Sequence, residues 1–377
     1  MDFDFSDDQV SLRDAVARWV DKGFGFERRH ALAKAGGASR AVYAELADLG
    51  LTALVIPEAH GGLGLGAVDA MVVMEEMGRG LVSAPLAAGA LMAPALLAAA
   101  PPALQAQWLP RMASAEALVV PAHQERGARY RLNHVQTTAQ PQGEGWRLDG
   151  AKSLVPAGDE ADAYIVPARL AGPVDDEAGI GLFLVSREAA GLVVGGHPTQ
   201  DGARAAELRL AGTPAELITR DGWAPLSLAI DIGIAAVCAE GVGLMDRLTA
   251  ITVEYMNTRK QFGTTLASFQ ALRHRIADVK MQLELARSMS YFATLKLGEP
   301  AEARRRALSQ AKLQLSQSAR FVGQQCVQLH GGIGVTDEYI ASHYFKRLTV
   351  LEMQYGDSLH HLGEVSRRMQ ATAGVFA

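Results

Sequence analysis

The sequence has 377 residues, of which 49% are hydrophobic and 20% are charged, a composition typical of a folded protein with two or three domains. Its formal net charge is −5 and no basic run exceeds the three arginines at 304–306, which argues against nucleic acid as a main partner. The two cysteines, Cys238 and Cys326, fit neither a zinc pattern nor a disulfide framework, so we expect no metal site and a reducing compartment.

Two stretches bear on the question of a membrane. The N-terminus reads MDFDFSDDQV and is acidic from its second residue, unlike the basic start of a signal peptide. Residues 81–108 are apolar and long enough to cross a bilayer, but alanine dominates them and four prolines interrupt them. We interpret this stretch as a pair of short buried helices, and we expect a cytoplasmic protein with no membrane partner.

The first segment, 1–116, has helical periodicity. Apolar residues recur every three or four positions after Ser6, which with the two aspartates that follow it predicts a capped helix start. Further helices are predicted at 39–50 and 67–80. The loop between them, IPEAHGGLGLG at 56–66, is glycine-rich but is not the dinucleotide-binding fingerprint, since no GxGxxG follows a strand there.

The middle segment, 117–222, changes to a period of two. Short runs rich in β-forming residues are separated by glycine, proline and aspartate turns, with no helix between them. This pattern predicts an antiparallel β-barrel or sandwich. The predicted strands are ALVVPA, YRLNHVQTTAQ, GWRLDGAKSLV, ADAYIVPARL, GIGLFLVSR, GLVVGG and AAELRLAG.

The last segment, 223–377, returns to long helices that are apolar on more than one face, which is typical of a four-helix bundle that also packs against other subunits. The fold class predicted for the whole chain is therefore multidomain α+β: an N-terminal α-helical domain, a middle antiparallel β domain and a C-terminal bundle. The predicted helices of the bundle are 224–258, 266–295, 299–328 and 337–371.

Three motifs in this order, IPEAHGGLGLG, RKQFG at 259–263 and QLHGGIG at 328–334, resemble those of the acyl-CoA dehydrogenases along nearly the whole chain. The resemblance implies an FAD enzyme that removes the α and β hydrogens of an acyl-CoA thioester, usually as a tetramer, with an electron-transfer flavoprotein as acceptor. In such an enzyme a carboxylate takes the α-proton and the flavin accepts the β-hydrogen as hydride.

The resemblance also implies which residues hold the ADP half of FAD, a site that in this family is shared with a neighbouring subunit. The arginine would meet the pyrophosphate, and the glycines would let the backbone approach the adenine side. The matching residues are Arg259, Gln261, Phe262, Gln270, Gln328, Gly331 and Gly332.

The β domain departs from the family pattern where the flavin ring would lie. Glu125 survives from the first flavin-lining segment, but the serine and its neighbouring glycine do not. In GAKSLVPAG, Lys152 matches the family, whereas the stacking aromatic is replaced by Leu154 and a hydroxyl residue by Pro156. Leucine offers no stacking face and proline no N–H, so we expect a weakened site for the flavin ring.

The catalytic base is the second departure. Aligned on Gly356, the family's base glutamate falls at Tyr355, and only about one tyrosine in a thousand is ionised at pH 7. A minority of the family takes its base from a position that falls near Gly233. Both positions lack a carboxylate, which leaves only weak candidates nearby: Glu352, Asp357 and Asp231.

These departures favour one subunit of a heteromeric acyl-CoA dehydrogenase, in which a paralogous partner carries the reactive half of the site. Two alternatives stay open. The chain could be a homotetrameric dehydrogenase with an unusual base, or a flavin-free scaffold of the same fold in which Arg259 and Gln328 are merely structural.

Overall fold

The structure is a computed structural model that describes residues 4–37, 40–143 and 145–372. By its internal contacts the chain forms two compact units. The helical unit consists of Met1–Arg29, Ala67–Val82 and Ile234–Ala377, and the mixed unit of His30–Gly66 and Ser83–Gly233. Along the chain the elements follow the order helices, strands, helices, so the predicted architecture is confirmed in outline.

The N-terminal helices begin as the sequence predicts. Helix α1 starts after Ser6, whose side chain accepts from the backbone N–H of Gln9 while the Gln9 side chain accepts from the backbone N–H of Ser6, a complete capping box. A π-helical turn, Ala87–Met92, precedes the fifth helix, and most of its side chains are buried. The helices of this segment are α1 (Asp7–Gly23), α2 (Phe26–Lys34), α3 (Arg40–Asp48), α4 (Ala67–Arg79), α5 (Ala93–Leu97) and α6 (Pro102–Ala113).

The β domain is a seven-stranded sheet whose pairings form a closed circuit, because β4 pairs with both β2 and β5 while β7 joins β3 to β5. Its strands are β1 (Val119–Pro121), β2 (Thr138–Gln142), β3 (Gly145–Pro156), β4 (Ala163–Arg169), β5 (Ile180–Ser186), β6 (Leu192–Pro198) and β7 (Arg204–Thr219). Most pairs are antiparallel as predicted, but β1 and β2 each pair with β4 in parallel. The predicted strand YRLNHVQTTAQ is also too long, since residues before Thr138 form turns and loop.

The C-terminal helices are α7 (Trp223–Thr258), α8 (Gln270–Leu295), α9 (Ala301–His330), α10 (Ile340–Met353) and α11 (Ser358–Thr372). Helix α9 packs against α8, α10 and α11, all within the helical unit. A two-stranded hairpin, β8 (Lys260–Gln261) with β9 (Thr264–Thr265), joins α7 to α8. The prediction of a single helix at 337–371 is wrong, because one helix ends at Met353 and the next begins at Ser358.

Helix α7 is the one described helix that is long and apolar enough to cross a membrane. Its most apolar window has a mean hydropathy of 1.8, yet 89% of that window is buried inside the protein. Buried core helices of globular proteins share this composition, so α7 is only weak evidence for a membrane segment.

Candidate functional site

The hairpin after α7 presents the first group of predicted cofactor residues. Phe262 and Gly263 form its tight turn with φ angles of 55° and 81°, the left-handed pair that two-residue hairpins prefer. Arg259, at the end of the helix, and Gln261, on the hairpin, are both exposed. Phe262 is 93% exposed, which is unusual for a large apolar side chain and marks a surface made to contact something else.

The end of α9 lies beside the end of α7. Their contact is aromatic: the Tyr255 and His330 rings are 4.6 Å apart between centroids, and Tyr339 lies 5.2 Å from His330. This cluster fixes the turn after His330, where Gly331 has a φ of 65° and open space where a side chain would begin. Gly332 has the same open space. The glycines therefore leave room for a ligand to approach the backbone.

The seven predicted cofactor residues thus lie at one end of the C-terminal helices, since Gln270 is the first residue of α8 and Gln328 belongs to the last turn of α9. All seven are exposed. Two further apolar side chains in the same glycine turn, Ile333 and Val335, are 41% and 71% exposed. An exposed cation, amides and glycines with apolar neighbours suit a phosphate-bearing ligand covered by a second chain.

The predicted base position lies in the turn between α10 and α11, within the helical unit. Tyr355 is partly buried there with a φ of 56°, an uncommon conformation for a bulky residue. Burial raises the pKa of the Tyr355 phenol above its ordinary value of 10, the Arg347 guanidinium opposes the rise, and the Glu240 carboxylate adds to it. The phenol therefore stays protonated at neutral pH and cannot remove a proton from a substrate carbon.

The carboxylates nearest to Tyr355 have structural partners. The Asp357 carboxylate accepts from the backbone N–H of His360 at 2.8 Å and so caps the start of α11. Glu352 Oε1 accepts from the Ser358 hydroxyl at 3.2 Å, which ties α10 to α11. The third candidate, Asp231, is 1% exposed on α7 and belongs to the mixed unit.

Beside this turn lies a buried ion pair that sequence reasoning did not identify. The Arg347 guanidinium donates two parallel hydrogen bonds to the Glu240 carboxylate, at 2.6 and 2.8 Å. Both side chains are mostly buried, with exposed fractions of 16% and 6%. Arg347 lies in the segment HYFKRLT at 343–349, where no local pattern indicates its partner on α7, 107 residues away.

The β domain shows why Glu125 is retained. Its carboxylate accepts from the Lys152 ammonium at 2.7 Å, from the Thr137 hydroxyl at 2.7 Å and from the backbone N–H groups of Gln136 and Thr137. Glu125 and Lys152 are 4% and 0% exposed, so the pair is a core element beside a cleft of about 420 Å³. Burial raises the pKa of Glu125, but the Lys152 ammonium and the hydrogen bonds outweigh burial and leave that pKa lowered. Burial lowers the pKa of Lys152 against the attraction of the Glu125 carboxylate.

The positions that would face a flavin ring keep an unusual backbone with altered side chains. Leu154 is 51% exposed with a φ of 51°, and Pro156 ends β3 without an N–H to donate. In the described chain seven residues other than glycine have a positive φ. Four of them lie in GAKSLVPAG, in RKQFG or at the predicted base position: Leu154, Ala157, Phe262 and Tyr355.

Comparison with known proteins agrees with this organisation. Models of the N-terminal, middle and C-terminal domains of acyl-CoA dehydrogenase match residues 6–116, 122–211 and 220–370. The chain belongs to the acyl-CoA dehydrogenase family. Members of this family are FAD-dependent oxidoreductases that act on CH–CH groups, and the expected cofactor is confirmed at that level.

Individual relatives are distant but cover nearly the whole chain. The probable acyl-CoA dehydrogenase FadE25 of Mycobacterium tuberculosis is 28% identical over 94% of this chain and 93% of its own length. The mitochondrial short-chain specific acyl-CoA dehydrogenase of Sus scrofa is 26% identical over 83% of this chain and 78% of its own length. Among solved structures, the ChsE4–ChsE5 complex from Mycobacterium tuberculosis aligns with a TM-score of 0.88 and 26% identity, covering 99% of this chain and 100% of that chain.

The residues present fit one half of FAD better than the other. Arg259, Gln261 and the open glycine turn at 331–332 fit the ADP half, because they offer a cation, an amide and free backbone at an exposed end. Bound FAD supplies the hydride acceptor of the family's reaction. Leu154 and Pro156 do not offer the stacking face and hydrogen bond that the family gives to the flavin ring.

Proposed function

We propose that this chain is the supporting subunit of a heteromeric acyl-CoA dehydrogenase. The observation that carries the proposal is Tyr355, a phenol held protonated at the position of the catalytic carboxylate. The flanking carboxylates, Glu352 and Asp357, have hydrogen-bond partners that hold the turn. A chain built in this way needs another subunit to supply the base for α-proton removal.

A second feature supports the proposal. The ADP-side residues are kept and exposed, from Arg259 to Gly332, and the apolar side chains of Phe262 and Val335 are exposed beside them. Such a surface would complete a flavin site on a paralogous subunit while that subunit covers the apolar residues. The similar ChsE4–ChsE5 structure is, by its name, a complex of two different chains.

The finer assignment rests on local resemblance. MDFDFS, HYFKRLT at 343–349 and YGDSLHH at 355–361 resemble the small subunit of pimeloyl-CoA dehydrogenase. We infer an acyl-CoA substrate that is bulky or dicarboxylic, oxidised in the cytoplasm with an electron-transfer flavoprotein as acceptor. The partner subunit would hold most of the substrate pocket.

The flavin content of the purified chain tests the proposal. The chain is purified alone and then co-expressed with a paralogue that has an intact base motif, and the visible absorbance of flavin is compared with protein concentration and native mass. We expect little or no FAD in the isolated chain and a full complement in the mixed oligomer. A homotetramer saturated with FAD would instead support an enzyme with an unusual base, and a mixed oligomer whose FAD content is insensitive to Arg259→Ala would support a flavin-free scaffold.

A further inference from the structure

A lysine buried in the helical unit holds the turn that carries Tyr355. Lys312 lies on α9 and is 0% exposed. Its ammonium group donates to the carbonyl oxygens of Glu352 and Gly356, both at 2.9 Å. We propose that Lys312 is the positioning residue of this turn, because one ammonium group binds the carbonyls on both sides of Tyr355 and so fixes where the phenol lies.

The end of α10 explains why such a bond is needed. The last carbonyls of a helix have no partner within the helix, and a buried carbonyl without a partner is costly. Glu352 belongs to the last turn of α10, and the chain leaves the helix at Gln354, so its carbonyl does not receive the next helical N–H. Lys312 supplies the missing donor from a neighbouring helix, and its ammonium group joins the Glu352 carbonyl to the Gly356 carbonyl.

The remaining side of the turn is held by α11. The His361 ring nitrogen Nε2 lies 3.1 Å from the carbonyl oxygen of Tyr355, and His361 is 2% exposed. A side chain at Gly356 would come within 2.6 Å of both His360 and His361, so only glycine fits there. Three carbonyls, those of Glu352, Tyr355 and Gly356, are therefore taken by two buried side chains, which explains how Tyr355 keeps a φ of 56°.

Lys312 acts on the backbone and not on a substrate. Its third polar contact is the Ser316 hydroxyl at 3.2 Å, so all three N–H donors face acceptors. Burial lowers the pKa of Lys312 to about 8, against the effects of Cys238 on α7 and of the Glu352 and Asp357 carboxylates, which leaves it charged at neutral pH. A fully buried ammonium with three engaged donors has no lone pair to offer as a base.

The sequence carried a signal for this residue. Leu308, Ala311 and Leu315 form the buried stripe of α9, and Lys312 lies within that stripe, where helical spacing calls for an apolar side chain. A lysine is almost never fully buried unless its ammonium group is bound. All of these contacts lie inside the helical unit, and Lys312 holds the turn whether or not the chain is a supporting subunit.

The test compares Lys312→Met with the wild-type chain by two local readouts. In chains labelled with 3-fluorotyrosine, the fluorine NMR signal of residue 355 is assigned by its loss in Tyr355→Phe. We expect one sharp signal in the wild type and a broadened or multiple signal in Lys312→Met. By hydrogen exchange with mass spectrometry, amides in peptides covering 354–358 should exchange about tenfold faster or more, because two charge-assisted hydrogen bonds are lost.

Two controls separate positioning from general packing. Ser316→Ala removes the third acceptor but keeps both carbonyl bonds, so it should leave both readouts unchanged. Lys280→Met removes a lysine of α8 whose side chain is 57% exposed, and it should also leave the fluorine signal and the amide exchange unchanged. If Lys312→Met does not fold, the same measurements are made on Lys312→Gln, which removes the charge and keeps one donor. An unchanged signal and unchanged exchange in a folded variant, or faster exchange spread evenly over all helices, would overturn the proposal.

Discussion

In two turns of the helical unit an aromatic residue has nearly the same φ angle, but the surroundings differ. At each, an aromatic residue in the left-handed region is followed by a glycine: Phe262 and Gly263 have φ angles of 55° and 81°, Tyr355 and Gly356 of 56° and 119°. The first aromatic side chain is 93% exposed, whereas the second is partly buried and its turn is bound on three carbonyls. The φ angle of the aromatic residue is nearly the same in both turns, so the neighbouring groups decide what each aromatic side chain can do.

This difference shows that the turn at the predicted base position is held by its surroundings. The exposed turn belongs to an end that offers Arg259 and Gln328 to a ligand or another chain. The buried turn has a helix cap and a buried lysine, and the residue at its centre, the predicted base position, is a tyrosine. The backbone there is held by groups on neighbouring helices, so the identity of the side chain at position 355 is not what maintains it.

The largest expected effect concerns the ion pair beside the buried turn. Glu240→Gln leaves the Arg347 guanidinium buried without its countercharge, and removing one partner of a buried pair costs about 3–5 kcal/mol. We expect a loss of that size in the free energy of unfolding, measured by urea denaturation. Glu254→Gln, at an exposed position of the same helix, should change stability by less than about 0.5 kcal/mol. Equal effects of the two changes would contradict a special role for burial at this turn.

At the exposed turn the expected effect is on ligand binding and not on folding. Arg259→Ala should weaken FAD retention by the mixed oligomer about 10- to 100-fold, since a charge-assisted hydrogen bond contributes about 1.5–3 kcal/mol. The measurement is flavin absorbance after dialysis, with thermal stability as a parallel readout. Lys280→Ala, an exposed cation on α8, serves as the matched control. Unchanged FAD retention in Arg259→Ala would contradict the prediction that the end carrying Arg259 binds the ADP half of FAD.

Acid should loosen the buried turn through His361. Burial lowers the pKa of His361 to about 2, with Lys312 adding to the shift, so the folded chain holds this ring neutral while the unfolded chain protonates it near pH 6.5. The stabilising contribution is complete above pH 6.5 and falls as the pH drops, by about 1.4 kcal/mol for each unit. Relative to His361→Gln, the wild type should lose about 2 kcal/mol between pH 6.5 and 5. Parallel stability curves for the two chains would show that His361 is not held neutral.

Much of the fold could be predicted from the sequence because it depends on local pattern. The helix start capped by Ser6, the change of period in the β domain and the end of α7 all follow from residues close in the chain. The break at 354–357 could not, since helical periodicity continues through it and the turn is held by Lys312, 40 residues away from Glu352. The Glu240–Arg347 pair and the parallel pairing of β1 with β4 are likewise long-range.

The candidate site also has one part that could be predicted from the sequence and one part that could not. Motif order predicts which exposed residues hold the cofactor, and alignment on Gly356 predicts that Tyr355 stands where the family has its base glutamate. That Asp357 caps a helix and Glu352 binds Ser358 depends on where the helix ends, which the sequence did not reveal. That Tyr355 is mostly protonated at pH 7 follows from its residue type, but the further rise of its pKa depends on burial among side chains from α7 and α10, which lies beyond local pattern.

The smallest expected effect is the most informative about catalysis. Tyr355→Phe removes only the hydroxyl group and keeps the ring that fills the turn, so the mixed oligomer should retain its dehydrogenase activity within about twofold. If the phenol were an unusual base, the same change would remove proton abstraction, a step for which positioned bases contribute about 10²- to 10⁴-fold. The measurement is acyl-CoA-dependent reduction of an electron acceptor by the mixed oligomer, with flavin content matched between variants. A loss of activity in Tyr355→Phe at full flavin content would make Tyr355 a catalytic group and would favour a chain that is itself catalytic. Because the flavin content is matched, weaker cofactor binding could not explain such a loss.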